Sequence, residues 1–429
     1  MSAKPLSLDE KLSLSRRQLL TGTAGAALAI ATSPLVNAAN GLAPRGDNWV
    51  PASAVDRVID NAIEANHLVG VSVIVARDGK VVYQRAAGFA DREAGRLVRP
   101  EDMFRIASMT KLVISVTALS LIEEGLMHLD DPVSYWLTDF LPAMKSGEPP
   151  LLTIRHLMTH TSGLSYGFLS GPDGGDYRRL GISDGLDNSG ISLQENLRRL
   201  SMAPLLFTPG TAWHYSLSTD VLGAVIERVT GVSLPEAVAR RVTQPLGLSS
   251  MKFVASLRDP LAIPYGDARP KPSRMSEPFT LPFFGNQIIY APSRAFRSDA
   301  YPSGGVGMVG NAVDYLRLLE VLRQGGAPIL KKTSVNALTT NAIGTLATNA
   351  GPGFGWGLGV SVLLDPQAAK LPMNTGSWNW AGVYGTNFWV DPTAKLSVVA
   401  LTNTAVSGMT GDFPLALRHA VYSEKHTVL

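Results

Sequence analysis

The chain has 429 residues, 45% of them hydrophobic and 17% charged, with 41 glycines, 28 prolines and no cysteine. Such a length and apolar content suffice for a large core and for more than one structural unit, while the absence of cysteine excludes disulfides, thiol catalysis and cysteine-ligated metal centres. The formal charge is only +3, with no basic stripe interleaved with aromatics, so nucleic acid is not an expected partner.

In chain order, Ser15-Arg16-Arg17-Gln18-Leu19-Leu20 carries a twin-arginine pattern. An Ala/Gly-rich apolar stretch follows to about Leu35, and then the small residues around Val36-Asn37-Ala38. Residues 1–38 therefore read as an export signal cleaved after Ala38 or Ala39. Two glycines and Pro34 keep the stretch short of the roughly 20 apolar residues that span a bilayer. The mature protein is expected to be periplasmic or secreted, without stable membrane insertion.

Val71–Ala76 and Val81–Arg85, either side of Asp78-Gly79, predict an antiparallel hairpin. From Ser108 the run SMTKLVISVTALSLIEEG has helical apolar spacing and stops at Gly125. Asp131-Pro132 predicts an N-cap with proline in the first turn of a helix, and Thr153 the cap of another through Met158. Gly359–Leu364, Thr386–Val390 and Leu396–Thr402 read as strands, and Phe413–Tyr422 as a terminal helix. The fold class is thus α/β, with an antiparallel sheet flanked by helices and assembled from N- and C-terminal segments. Residues 45–130 and 346–429 are assigned to that sheet domain and 131–345 to a mainly helical one, with the active site between them.

Ser108-Met109-Thr110-Lys111 is an S-x-x-K motif. Its i, i+3 spacing puts hydroxyl and amine on one side of a helix whose N-terminal N–H groups can stabilise an oxyanion. A second copy, Ser249-Ser250-Met251-Lys252, follows a turn-like Leu246-Gly247-Leu248 and reads as coincidence. Gly163-Leu164-Ser165-Tyr166-Gly167 matches G-x-S-x-G, but that motif needs a strand before the serine and a helix after it. Here a helix ends before it and a glycine-rich loop follows, so Ser165 reads as a decoy. His156 and His160 share a helix without an intervening acid, and satisfied helix histidines are the plainer reading than a metal site. Gly353-Phe354-Gly355-Trp356-Gly357-Leu358-Gly359 lacks the strand, helix and later acid of a dinucleotide loop.

Phe104-Arg105-Ile106-Ala107-Ser108-Met109-Thr110-Lys111, Leu157-Met158-Thr159-His160-Thr161-Ser162-Gly163-Leu164, and Pro209-Gly210 before Tyr215-Ser216-Leu217 resemble the penicillin-recognising serine hydrolases. Within these the chain is most similar to the family VIII carboxylesterases, relatives of class C β-lactamases, from about Val71 to Leu401. The resemblance implies that Ser108 is the acylated nucleophile and Lys111 the group that takes its proton. Tyr215 matches the tyrosine of Y-x-N, acting with Lys111 as base and then as proton donor.

The chain departs from the β-lactamases at their K-T-G motif, which is matched by Trp380-Ala381-Gly382. The resemblance makes the Val383 and Ser108 backbone N–H groups the oxyanion hole. Tryptophan for lysine removes a cation that could pair with a penicillin carboxylate and supplies an apolar wall. Leu217, where Y-x-N has asparagine, removes an amide that could bond a substrate amide. Trp380, Ala381, Gly382 and Leu217 are accordingly expected around the substrate, a small neutral ester, and the mechanism implies no metal or organic cofactor. The competing readings are a β-lactamase or D-amino peptidase of the same superfamily, an acyltransferase, and a non-catalytic envelope binding protein. The last is disfavoured because nucleophile, lysine and tyrosine are all present.

Overall fold

The computed structural model describes residues 49–423, so the export-signal reading of residues 1–38 lies outside the described residues. The main sheet has eight antiparallel strands: β1 (Gly70–Arg77), β2 (Lys80–Asp91), β3 (Arg96–Leu97), β4 (Phe354–Trp356), β5 (Ser361–Leu363), β6 (Trp378–Gly382), β7 (Thr386–Asp391) and β8 (Leu396–Thr402). Their spatial order is β4-β5-β6-β7-β8-β1-β2-β3. The predicted assembly from both chain ends is realised at the β1–β8 seam, which pairs Val71 with Thr402 and Arg77 with Leu396. Asp78 (φ 50°) and Gly79 (φ 80°) make the left-handed turn that a two-residue hairpin needs.

The helices that matter here are α1 (Ala52–Glu64), α2 (Thr110–Glu123), α3 (Ile154–Met158), α4 (Ser218–Thr230), α5 (Ala312–Arg323) and α6 (Asp412–Val421). Val71, Val73 and Val75 of β1 pack with Val55, Ile59, Phe413 and Leu417 of α1 and α6. Ile74 and Ala76, on the opposite face, join the larger core with Leu316 and Leu319 of α5. Both faces of β1 are therefore covered, which is why it reads as a continuous apolar run rather than an alternating one.

In α2 every residue from Thr110 to Leu121 is buried. It is a core helix packed against α4, not one that shows a face to water. This places Lys111, one residue into α2, inside the protein.

Two expectations need correction. The helix after Asp131-Pro132 is only Val133–Trp136, with Pro132 itself extended as its cap (ψ 134°); the Asp131 carboxylate accepts the His128 N–H instead (2.7 Å). The stretch read as mainly helical contains a hairpin, Phe279–Phe283 with Asn286–Tyr290, in which Pro282 takes an exposed position of the alternation. Helix α5 falls inside 131–345 yet packs on the sheet. Its buried Glu320 accepts the Ser397 hydroxyl of β8 (2.6 Å). Among the described residues no helix is long and apolar enough to cross a membrane.

Candidate active site

Ser108 occupies the 3-10 turn Ala107–Met109 that leads into α2. Ala107 has φ 42°, a conformation that costs a non-glycine residue on the order of 1 kcal/mol and persists only where its surroundings enforce it. The enforcement is visible. Ile106 N–H donates to Met308 O (3.1 Å), and Met308 N–H donates to Thr110 Oγ1 (3.1 Å). The Tyr315 hydroxyl donates to Met109 O (2.9 Å), and that of Thr386 to Ile106 O (3.2 Å). Strand β6 runs past this turn so closely that a Cβ at Gly382 would stand 2.4 Å from Ile106 O and 3.2 Å from Ala107 Cβ. The glycine of the W-A-G motif thus has a steric reason.

The Lys111 ammonium lies 3.5 Å from Ser108 Oγ and donates to the Tyr166 hydroxyl (2.8 Å) and to Gly305 O (2.8 Å). Burial drives its pKa down from 10.5 to about 7, against the opposing field of Asp220. Nζ also sits over the face of the Tyr215 ring, 4.6 Å from its centroid.

Tyr215, itself buried, accepts a hydrogen bond from Trp380 Nε1–H (3.1 Å). Burial pushes its phenol above the usual 10, and hydrogen bonding with Ser108 and Trp380 offsets part of that rise. The His160 ring packs against Tyr215, centroids 4.7 Å apart. Burial, with Lys111 nearby, holds His160 well below its usual value, hence neutral.

The structure brings Ser108, Lys111, Tyr215 and Trp380 into one cluster. After β6, the Gly382 carbonyl accepts Gly385 N–H (2.8 Å), fixing the plane of the peptide that carries the Val383 N–H. Trp380 and Ala381 are half-buried, and Gly382 and Val383 are buried. Leu217 is placed differently from a substrate contact. It is 0% exposed at the start of α4, its N–H donating to Ser165 O (3.2 Å), so its side chain has no free surface to offer.

Sequence reasoning missed Tyr166, which lies in the discounted G-x-S-x-G segment and is fully buried. It is 55 residues from Lys111, and no spacing signals the contact. Ser165 does lie 2.9 Å from His214 Nε2. It is 0% exposed, however, and burial lowers the His214 pKa with no carboxylate opposing it. His156 Nδ1 accepts Thr153 N–H (3.2 Å) in a capping box on α3, the satisfied role expected of it. The glycine-rich run 353–359 forms β4 and the start of its hairpin, where a Cβ at Gly357 would meet Leu338 O at 2.1 Å. Among the described residues no group of three His, Asp or Glu side chains is placed to hold a metal.

A serine on an enforced turn, a buried lysine beside it and the W-A-G strand against both are the arrangement of a serine hydrolase of the β-lactamase type. The chain belongs to the β-lactamase family, whose model, described as Beta-lactamase, matches residues 55–421. Among relatives, it is 48% identical over 375 residues to Esterase EstB of Burkholderia gladioli, covering 87% of this chain and 95% of that protein. Among solved structures, it is similar to EstCE1, described as a hydrolase with promiscuous acyltransferase activity, with a TM-score of 0.84 and 45% identity over 87% of this chain and 98% of that one. Unliganded simvastatin synthase from Aspergillus terreus shares the fold at 24% identity, with a TM-score of 0.68 over 88% of this chain and 99% of that one.

Proposed function

We propose that the protein is a carboxylesterase that cleaves small neutral esters through an acyl-enzyme on Ser108. The observation that carries this reading is the geometry of one buried cluster, in which Lys111 Nζ lies 3.5 Å from Ser108 Oγ and 4.6 Å from the centre of the Tyr215 ring, with burial lowering Lys111 and raising Tyr215. Groups pushed apart in this way divide the acid and base roles. Lys111 takes the hydroxyl proton as Ser108 Oγ bonds the ester carbonyl carbon, and the neutral Tyr215 phenol delivers a proton to the departing alkoxide. Water then attacks the acyl-enzyme with the same groups in reversed roles. The oxyanion is assigned to the backbone N–H groups of Ser108 and Val383.

Trp380 supports the choice of substrate. A lysine at that place would favour the phenolate of Tyr215 and a substrate carboxylate. An indole N–H gives Tyr215 one neutral hydrogen bond (3.1 Å) and leaves it protonated. The half-buried indole face suits an uncharged acyl or alcohol group, and the 48% identity to an esterase agrees with it. Residues 1–38 we take as a twin-arginine signal that sends the enzyme to the periplasm or beyond.

The mature chain and Ser108→Ala, assayed with p-nitrophenyl butyrate and with nitrocefin, test the reading. Ester hydrolysis is expected to fall on the order of 10³-fold in the variant, with nitrocefin turned over poorly by both. Efficient nitrocefin hydrolysis would overturn the substrate class. Unchanged ester hydrolysis in Ser108→Ala would overturn the mechanism and turn attention to Ser165.

A further inference from the structure

Asp220 has no part in the mechanism just described, yet it sits at its centre. It lies in the first turn of α4, five residues after Tyr215 and 2% exposed. The Ser303 hydroxyl donates to Oδ1 (2.6 Å), while Oδ2 has no side-chain partner and only the nearby Gly305 N–H beside it. A buried carboxylate oxygen left in that state is costly and calls for a reason.

The reason is found around Gly305. A Cβ on Gly305 would stand 2.5 Å from Asp220 Oδ2, 2.8 Å from the Tyr166 hydroxyl and 3.4 Å from Lys111 Nζ. Carboxylate, phenol and amine therefore converge on one point that stays open only because residue 305 has no side chain. The Gly305 carbonyl itself accepts from Lys111. Oδ2 and Nζ thus border the same point, and the carboxylate acts as a nearby charge on the lysine that must become an ammonium during acylation.

We propose that Asp220 is a positioning residue, whose nearby carboxylate stabilises the ammonium formed when Nζ takes the Ser108 proton. This rests on the roles given above to Ser108 and Lys111. In the step, the Ser108 O–H bond breaks as Oγ bonds the acyl carbon, and the proton goes to Nζ. A proton later reaches the leaving alkoxide through the Tyr215 hydroxyl. Asp220 exchanges no proton; it supplies a fixed negative charge.

The other titratable groups packed around Lys111 are His160 and Tyr166 from the segment after α3, and Tyr215 before α4. Burial keeps all three neutral. Around Asp220 stand Asp184, Tyr301 and Arg294, of which Arg294 favours its ionised form. Burial raises Asp220, and the Ser303 hydrogen bond and Lys111 oppose that rise.

The test is the pH profile of kcat/KM for p-nitrophenyl butyrate in Asp220→Asn and Asp220→Glu, with Ser108→Ala alongside. Activity requires neutral Lys111, so it is lost as pH falls through the lysine pKa. Removing the Asp220 charge makes Lys111 easier to deprotonate. In Asp220→Asn the acid limb should move to lower pH by about one unit. The plateau kcat should fall roughly tenfold with little change in KM, because the ammonium is no longer stabilised. Asp220→Glu should return the limb toward the wild-type position, which a purely structural role would not do.

An Asp220→Asn limb superimposed on wild type, or an Asp220→Glu limb displaced as far as that of Asp220→Asn, overturns the proposal. If Asp220→Asn does not fold, Ser303→Ala replaces it. Loss of that hydrogen bond makes Asp220 easier to protonate, so the limb should move the same way by less, and an unmoved limb again overturns the proposal. Full activity in Ser108→Ala would instead sink the underlying mechanism, so the two failures are separable.

Discussion

Ser108–Lys111 and Ser249–Lys252 share the spacing S-x-x-K, and the fold gives their lysines opposite surroundings. Lys111 begins a helix buried all round, 1% exposed, with hydroxyl and carbonyl oxygens as hydrogen-bond partners. The Lys252 side chain is 35% exposed and pairs with Asp259 (2.8 Å). Ser249 faces solvent, and the neighbouring Ser250 hydroxyl donates to Asp314 Oδ2 (2.6 Å). Lys252 is open to solvent and committed to a carboxylate rather than to a serine hydroxyl. A lysine stripped of water, with its nearest carboxylate used only as a counterweight, gives its proton up near neutrality. Spacing brings a serine and a lysine within reach of each other; burial decides whether the pair is chemically useful.

The sharpest way to break this comparison is to remove each amine. Lys111→Met should lower kcat/KM for p-nitrophenyl butyrate on the order of 10³-fold, as expected for loss of a general base. The same wild-type assay should lose activity as pH falls through about 7, because the working form of Lys111 is neutral and protonation below its pKa disables it. Flat activity between pH 5 and 8 would place the base elsewhere.

Gly305→Ala tests whether the buried pocket is as full as the geometry says. Its Cβ would enter the space shared by Asp220, Tyr166 and Lys111 at 2.5, 2.8 and 3.4 Å. We expect kcat to fall on the order of 10²-fold and stability to drop by about 1–3 kcal/mol, the usual penalty for overpacking. Melting curves beside kinetics separate the two effects. Tyr166→Phe removes only the hydroxyl that accepts from Lys111 and should cost roughly tenfold in kcat. Wild-type kcat in that variant would make the 2.8 Å contact incidental.

What the sequence made legible follows the same division. Local signals survived: the hairpin turn at Asp78-Gly79, the Thr153 cap, and β8 at Leu396–Thr402 lie where pattern and turn chemistry put them. Ser108, Lys111 and Trp380 could be found because each sits inside a short motif. Tyr166 and Asp220 could not, since their relation to Lys111 is made by a loop and by the first turn of α4 arriving from distant parts of the chain. Leu217 was misread as a substrate contact for a related reason: its place in Y-x-N fixes it in sequence, but the start of α4 turns it wholly into the core. The hairpin at 279–290 escaped because a proline within a short run argues against a strand, although Pro282 occupies an exposed position where its missing N–H does no harm.

The smallest expected effect is the most informative about motifs. Lys252→Met preserves the length of the side chain and deletes its charge, leaving Asp259 to its remaining donor, the Ser256 N–H (2.6 Å). With the Lys252 side chain 35% exposed and that of Asp259 18%, the pair is a partly screened surface interaction worth at most about 1 kcal/mol. Esterase activity and its pH profile should stay within about twofold of wild type, and the melting temperature should drop by no more than about 4 °C. An activity loss approaching that of Lys111→Met would mean that the second copy takes part in the chemistry. The argument that burial rather than spacing makes a lysine into a base would then fail for this protein.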